Sequence, residues 1–455
     1  MSANNTHFSS KVGLIAATVG SAVGLGNIWR FPAEAQQGGG AAFLILYILC
    51  VLILGVPVML AEFSLGRAGG TDSIGAFVKV APKHKKWKAV GALSVTTSYL
   101  IAIFYMVVTG WTLKYSVSSV TGDLYRPEIG HTIGSEFFRV KMEQYLTQGF
   151  SSMFYTMLVV VFNLVILLGG VKKGIERLSN VLMPMLFLLL IIFCCVSLSL
   201  PDSGEGLRFF FYPDFSKVTP TVLLAALGQT FFSLSLGMGI LVTYASYYPP
   251  QTRLVRTSLT VSLLDVLVAV LMGIIVFPAI TSFNLSDHSI AGTALVFVTL
   301  PEVFVRLPLT ELWSSLFFIL LAIAALTSTV SILEVTVKCL QDRMKMSRRA
   351  AVLWVNVPLF LLSGICALSM GELSHLTLFG MNMFDLLDFV TAELLLPIAA
   401  IGVYIFVGWI APRSLLERQL TNDGTLRSRI IGVCLFIIRY IAPVLILLVL
   451  ISPLL

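Results

Sequence analysis

Apolar runs of about 20 residues, the length at which a helix crosses a ~30 Å hydrocarbon core, recur along the chain. They lie roughly at 13–36, 41–65, 89–117, 152–170, 178–200, 220–246, 257–283, 309–337, 350–370, 383–410 and 430–453, with polar residues gathered between them. The pattern predicts an all-α polytopic membrane protein of eleven transmembrane helices. Two of the runs are interrupted. Gly20 to Pro32 carries Gly20, Gly24, Gly26, Asn27 and Arg30 where an unbroken helix is expected, and Gln229 to Gly239 carries Ser233, Ser235, Gly237 and Gly239.

A backbone N–H or C=O freed by unwinding in hydrocarbon costs several kcal/mol unless something polar satisfies it. A break at membrane depth therefore implies a cavity, an ion or a polar ligand, and transporters use such breaks as binding sites. The interrupted runs are the first and the sixth, five spans apart, so they cross in opposite directions. This predicts a 5+5 inverted repeat with discontinuous helices 1 and 6. One domain covers 1–455, with a first repeat at 11–200, a second at 218–411 and a peripheral eleventh helix at 428–455. Glycines also let membrane helices pack closely, but close packing does not require Asn27, Ser233 or Ser235. Unwound carbonyls and half-helix C-termini suit a small hard cation, and half-helix N-termini suit an anion. An amino acid together with sodium meets both demands.

Composition agrees with the pattern: 57% hydrophobic and 12% charged residues, with a mean hydropathy of +0.94, exclude an ordinary soluble globule. Between spans, one side of the membrane holds 21 Lys and Arg and the other holds 6. The positive-inside rule places the N-terminus in the cytoplasm and, with eleven spans, the C-terminus outside. The net charge of +7 reflects this topology, and no basic block with interleaved aromatics points to nucleic acid. Cys50, Cys194, Cys195, Cys339, Cys366 and Cys434 lie in or at the ends of apolar spans without metal-ligand spacing, and read as packing residues. The polar start, Met1 to Ser10, lacks the charged region and cleavage site of a secretory signal. His84, His131, His288 and His375 fall in loops or at their edges, and no nucleophile–base constellation is found, so the chain does not read as an enzyme.

The run from Gly20 to Pro32, the run Gly55-Val56-Pro57 to Glu62 with Gly66-Arg67, and the run Phe231 to Ser246 resemble the neurotransmitter:sodium symporter family, which has the leucine-transporter fold. Tyr105 with Trp111, Ala324 to Ser328, and Asp385 with Asp388 extend the resemblance over nearly the whole chain. The general account of broken helices in transporters draws on this family, so it enters by analogy. The resemblance implies two sodium ions. The first would be held by the Ala22 carbonyl, Asn27, Ser233, Asp265 and the substrate carboxylate. The second would be held by carbonyls of Gly20, Val23 and Ala324 with the hydroxyls of Thr327 and Ser328. Hard cations prefer such oxygen ligands, and a shared carboxylate makes sodium and substrate binding reciprocal.

A carboxylate in an apolar span is expensive and normally functional, and Asp265 has no basic residue in its own or neighbouring helices to pair with. Chloride-requiring relatives have a neutral residue there, so Asp265 implies chloride independence; proton countertransport through it stays open. Monoamine carriers have an Asp where Gly24 stands, so the substrate is expected to bring its own carboxylate. Ser21, Ala22, Gly24, Leu25, Gly26, Ile101, Tyr105, Phe232, Ser233, Ser235, Met238, Ser328, Ser331 and Ile332 would form its site, with adaptable Met238 favouring hydrophobic, including aromatic, L-amino acids. The Gly237-Met238-Gly239 run is similar to bacterial members with broad hydrophobic selectivity.

Arg30 with Asp388 would close the outer side. Asp342 and Tyr247 would belong to the inner gate, where Asn5 and Phe8 replace the family's Arg and Trp and leave Lys11 as a candidate partner. Gly174 and Pro184 match a pair whose unwinding admits cytoplasmic water. The expectation is a sodium-coupled importer of the bacterial inner (plasma) membrane, with amino acid, sodium and lipid as partners. A non-transporting amino-acid sensor, a symporter of small neutral amino acids and a channel are the alternatives. Oligomeric state stays open.

Overall fold

The computed structural model describes residues 7–126, 133–283, 285 and 292–451; Asn5, His131 and His288 lie outside them. Helices dominate, because each apolar run must satisfy its own backbone in lipid. Among the described residues nine helices are long and apolar enough to cross a membrane, and a bent pair brings the number to ten. The bent pair is α1 (Lys11–Ala22) with α2 (Gly26–Gln37), turned by 55°. The continuous helices are α3 (Ala41–Gly69), α4 (Pro82–Val120), α5 (Gly149–Leu168), α6 (Val171–Leu198), α9 (Leu254–Ser282), α11 (Thr310–Arg343), α12 (Arg348–Leu368), α13 (Met383–Ile410) and α14 (Ile431–Ile451). The run at 220–246 divides into α7 (Pro220–Ser233) and α8 (Ile240–Ala245), each too short to cross alone. A short helix, α10 (Leu295–Val305), precedes α11.

Local chemistry sets the ends. The Ser10 hydroxyl accepts from the Gly13 N–H at 2.9 Å to open α1, Thr219 followed by Pro220 opens α7, and the Ser347 hydroxyl accepts from Ala350 at the start of α12; such caps satisfy N–H groups that have no helical acceptor. Burial then sorts the helices. In its most apolar stretch α11 is 83% buried, whereas α14 is 28% buried. The first packs closely beside α4, and the second leaves most of that stretch uncovered by the rest of the protein. Five of the six cysteines are buried, as packing residues should be, but Cys195 is exposed.

Candidate functional site

Both interruptions are true breaks in the helical backbone. After Ala22 the chain turns extended at Val23, with φ −71° and ψ 102°. Between α7 and α8 three residues adopt left-handed backbone, Ser235 at φ 53°, Gly237 at φ 80° and Gly239 at φ 74°. Gly237 cannot carry a side chain there, because a Cβ would stand 2.9 Å from that of Ala400 and 3.1 Å from the Leu396 carbonyl oxygen. The freed polar groups find partners. The Gly237 N–H donates to Glu62 Oε1 at 2.7 Å, and the Tyr404 hydroxyl donates to the same oxygen at 3.2 Å. The Ser73 hydroxyl donates to the Gly239 carbonyl, the Ser98 hydroxyl to the Met238 carbonyl, and the Ser235 hydroxyl to the Ser21 carbonyl at 2.9 Å. The last bond ties one break to the other.

Between the breaks lies a cavity of about 40 Å³, measured as space open to the centre of a water molecule. Its wall contains Ser21, Ala22, Gly24, Gly26, Ile101, Tyr105, Phe232, Ser233, Ser235, Met238, Ser328 and Ile332, all expected from the sequence. Two expected residues stand outside it. Leu25 is buried but is not part of the wall, and its N–H donates to the Tyr105 hydroxyl at 3.3 Å; the Ser331 hydroxyl is engaged with Tyr244 at 2.7 Å and the Thr327 carbonyl at 2.9 Å. Phe104, Thr391, Ala392 and Leu396 complete the wall and were not expected. Three of them come from α13, where a π-helical turn at Phe389–Leu395 shifts the phase of the helix.

Beside the cavity Asp265 is fully buried. It accepts hydrogen bonds from Tyr47 at 2.7 Å, Ser233 at 2.6 Å and the Asn27 amide at 2.9 Å; among the described residues no basic side chain forms an ion pair with it. Asn27, Ser233 and Asp265 thus converge as an oxygen-rich cluster, with Tyr47 as a member the sequence did not reveal. At the second cluster the Ser328 hydroxyl reaches the Gly20 carbonyl at 3.4 Å, and the Thr327 hydroxyl reaches the Ala324 carbonyl at 3.0 Å. Val23 lies at the break itself, directly after Ala22.

Arg30 pairs with Glu34, one turn along its own helix, at 3.5 Å, and its guanidinium lies 5.1 Å from the centre of the Phe232 ring. It forms no ion pair with Asp388. On the side expected to face inward, Phe8, Tyr247 and Asp342, named from the sequence, meet Ser9, Ser10, Glu176 and Glu334, which sequence reasoning did not single out. Phe8 packs among Tyr244, Tyr247 and Tyr248, with ring centres 5.8 to 6.2 Å apart. The N–H groups and hydroxyls of Ser9 and Ser10 all donate to the buried Glu176 carboxylate at 2.7 to 3.1 Å. Glu176 ends a π-helical turn, Val171–Glu176, that contains Gly174. Asp342 pairs with Lys338 at 3.3 Å, rather than with Lys11, and accepts from the Thr71 hydroxyl and the Asp72 N–H. Tyr247 donates to Glu334 at 2.6 Å, and Glu334 pairs with Arg348. Four carboxylates, Glu62, Glu176, Glu334 and Asp342, thus find partners one at a time.

Comparison with known proteins places this architecture. The family profile described as "Sodium:neurotransmitter symporter family" matches residues 5–144 and 135–455. A Bacillus subtilis (strain 168) protein named "Uncharacterized sodium-dependent transporter YhdH" is 35% identical over 443 residues, 97% of this chain and 96% of that protein. A Haemophilus influenzae "Uncharacterized sodium-dependent transporter" is 34% identical over 465 residues, the whole of both chains. The crystal structure of MhsT in complex with L-phenylalanine superposes with a TM-score of 0.86 at 39% identity, covering 98% of this chain and 99% of that one. By sequence and by fold, this chain belongs to the sodium:neurotransmitter symporter family.

Proposed function

We propose that the chain is a sodium-coupled symporter that imports hydrophobic and aromatic L-amino acids by alternating access, with two sodium ions and without chloride. The observation that carries this reading is the cavity between the two breaks, polar along Ser21, Gly24 and Ser328 and apolar along Ile101, Phe104, Met238 and Ile332. The substrate carboxylate would lie against the break after Ala22, with the Tyr105 hydroxyl beside it, and the side chain would fill the apolar end. The first sodium, co-substrate rather than resident ion, would take the Asn27, Ser233 and Asp265 oxygens, the Ala22 carbonyl and that carboxylate. The second would take the Gly20, Val23 and Ala324 carbonyls with Thr327 and Ser328. The bound phenylalanine of MhsT supports an aromatic substrate. The carboxyl group of Asp265, at a position where the resemblance gives chloride-requiring relatives a neutral residue, supports independence from chloride. An inverted repeat of 11–200 and 218–411, eleven spans and a cytoplasmic N-terminus belong to the same proposal.

The test is uptake of radiolabelled phenylalanine, tryptophan, leucine and alanine into proteoliposomes with and without an inward sodium gradient. Sodium-driven accumulation of the first three, lost in Asp265→Ala and unchanged when gluconate replaces chloride, is the expected result. Binding without accumulation would make the protein a sensor, and accumulation of alanine alone would move the substrate class to small neutral amino acids.

A further inference from the structure

Outside the central cavity, on the flank of the N-terminal segment, a cleft of about 310 Å³ opens where that segment meets the start of α9. Its walls bring Lys11, Arg253 and Arg256 together with Phe8, Thr252 and Thr257. All three basic side chains are exposed, and among the described residues none has a carboxylate within ion-pair distance. Among the described residues no acidic side chain lines the cleft, and the oxygens of Glu176, which is bonded to the lining residues Ser9 and Ser10, already accept four hydrogen bonds from those two residues.

The backbone adds to the positive field. The cleft lies at the N-termini of α1 and α9, and neither helix has an acidic residue in its first turn. At α9 the cap position is Arg253, which offers no side-chain acceptor to the first-turn N–H groups. Two cationic side chains at a helix N-terminus oppose the helix dipole, and the unpaired N–H groups there require an acceptor. An anion in the cleft resolves both conflicts at once.

The surroundings identify what carries that anion. From Arg256 a single stripe of α9 continues through Leu259, Leu263 and Leu267, all exposed, and Val12 is 71% exposed beside Lys11. A soluble anion has no use for this apolar ridge, whereas acyl chains lie along it when a headgroup sits in the cleft. We propose that Lys11, Arg253 and Arg256 form a binding site for the phosphate headgroup of an anionic phospholipid, with its chains on the α9 stripe. Nothing in this site depends on which amino acid the protein carries.

Native mass spectrometry of the full-length protein, delipidated and returned to nanodiscs of phosphatidylcholine containing one-fifth phosphatidylglycerol, tests the site. Wild-type protein is expected to retain phosphatidylglycerol preferentially. The triple variant Lys11→Gln, Arg253→Gln, Arg256→Gln is expected to lose affinity on the order of 100-fold, at about 5-fold for each basic group. The control triple Lys83→Gln, Lys85→Gln, Lys86→Gln, in an exposed turn, should retain it, as should Arg253→Lys, Arg256→Lys. Equal loss in both Gln triples would reduce the effect to general surface charge and overturn the site. Displacement of the lipid by millimolar inorganic phosphate would overturn the lipid assignment. If the site triple does not fold, wild-type protein that shows no preference for phosphatidylglycerol over phosphatidylcholine overturns the proposal by itself.

Discussion

At Gly237 a left-handed φ and the crowding from Ala400 act together. Left-handed backbone costs an L-residue roughly 1–2 kcal/mol, and the added methyl must also displace its neighbour. Gly237→Ala is therefore expected to lower the thermal midpoint by several degrees, while Gly228→Ala, where a Cβ meets nothing closer than 3.8 Å, should hold or raise it. Equal midpoints would refute the strained break. Gly24 faces a different limit, since a Cβ there stands 2.7 Å from the Ser328 hydroxyl and 3.1 Å from that of Tyr105. Gly24→Asp should cut phenylalanine uptake at least about 10-fold by setting a charge against the substrate carboxylate, and unchanged uptake would remove the carboxylate from this end of the cavity. Most of the cavity wall was legible from residue types beside the breaks. Phe104, Thr391, Ala392 and Leu396 were not, because they reach it across the bundle from α4 and from the phase-shifted turn of α13. Ser331 misled for the opposite reason: a hydroxyl at the right spacing was already engaged by Tyr244.

Among the elements, the N-terminal segment and α6 are joined through one carboxylate. Glu176 accepts from two residues of that segment and closes the π-helical turn that holds Gly174. Unwinding of α6 would thus release the N-terminus in the same movement. Hydrogen bonds to a charged acceptor are worth about 1.5–3 kcal/mol each, so Glu176→Ala is expected to favour the inward-open form by 10-fold or more. The readout is the maleimide labelling rate of a cysteine placed at Ser246, which lines the inner cleft; a rate equal to that of the parent would dismiss the latch. The sequence marked Gly174 and Pro184 but not Glu176. An acidic residue in a basic loop reads as solvated, and only the approach of Ser9 and Ser10 from 166 or 167 positions away gives it a role.

For the molecule as a whole, the two breaks share a cavity, so ligands at each should strengthen binding at the other. Saturating sodium is expected to raise the thermal midpoint, by an amount equivalent to about 2.7 kcal/mol at 100 times its Kd. Phenylalanine should raise it further only when sodium is present. Loss of that dependence in wild-type protein, or its survival in Asp265→Ala, would uncouple the first ion from the substrate. The alternation of apolar runs made the helices legible at this scale. It also placed the breaks, because glycines clustered with polar side chains at membrane depth disfavour an unbroken helix. In the run at 220–246 the two signals divide the work, since hydropathy counts one span while the glycines and serines at 233–239 mark where the backbone makes two short helices.

The plug formed by Phe8 and its three tyrosines has a spectroscopic consequence. The chain has six tryptophans, and none of them belongs to this cluster, so its opening is optically quiet in the natural protein. Phe8→Trp would place an indole within energy-transfer range of Tyr244, Tyr247 and Tyr248. Tyrosine-sensitised emission would then fall as the N-terminal segment leaves, reporting inner-gate motion in real time without an attached dye.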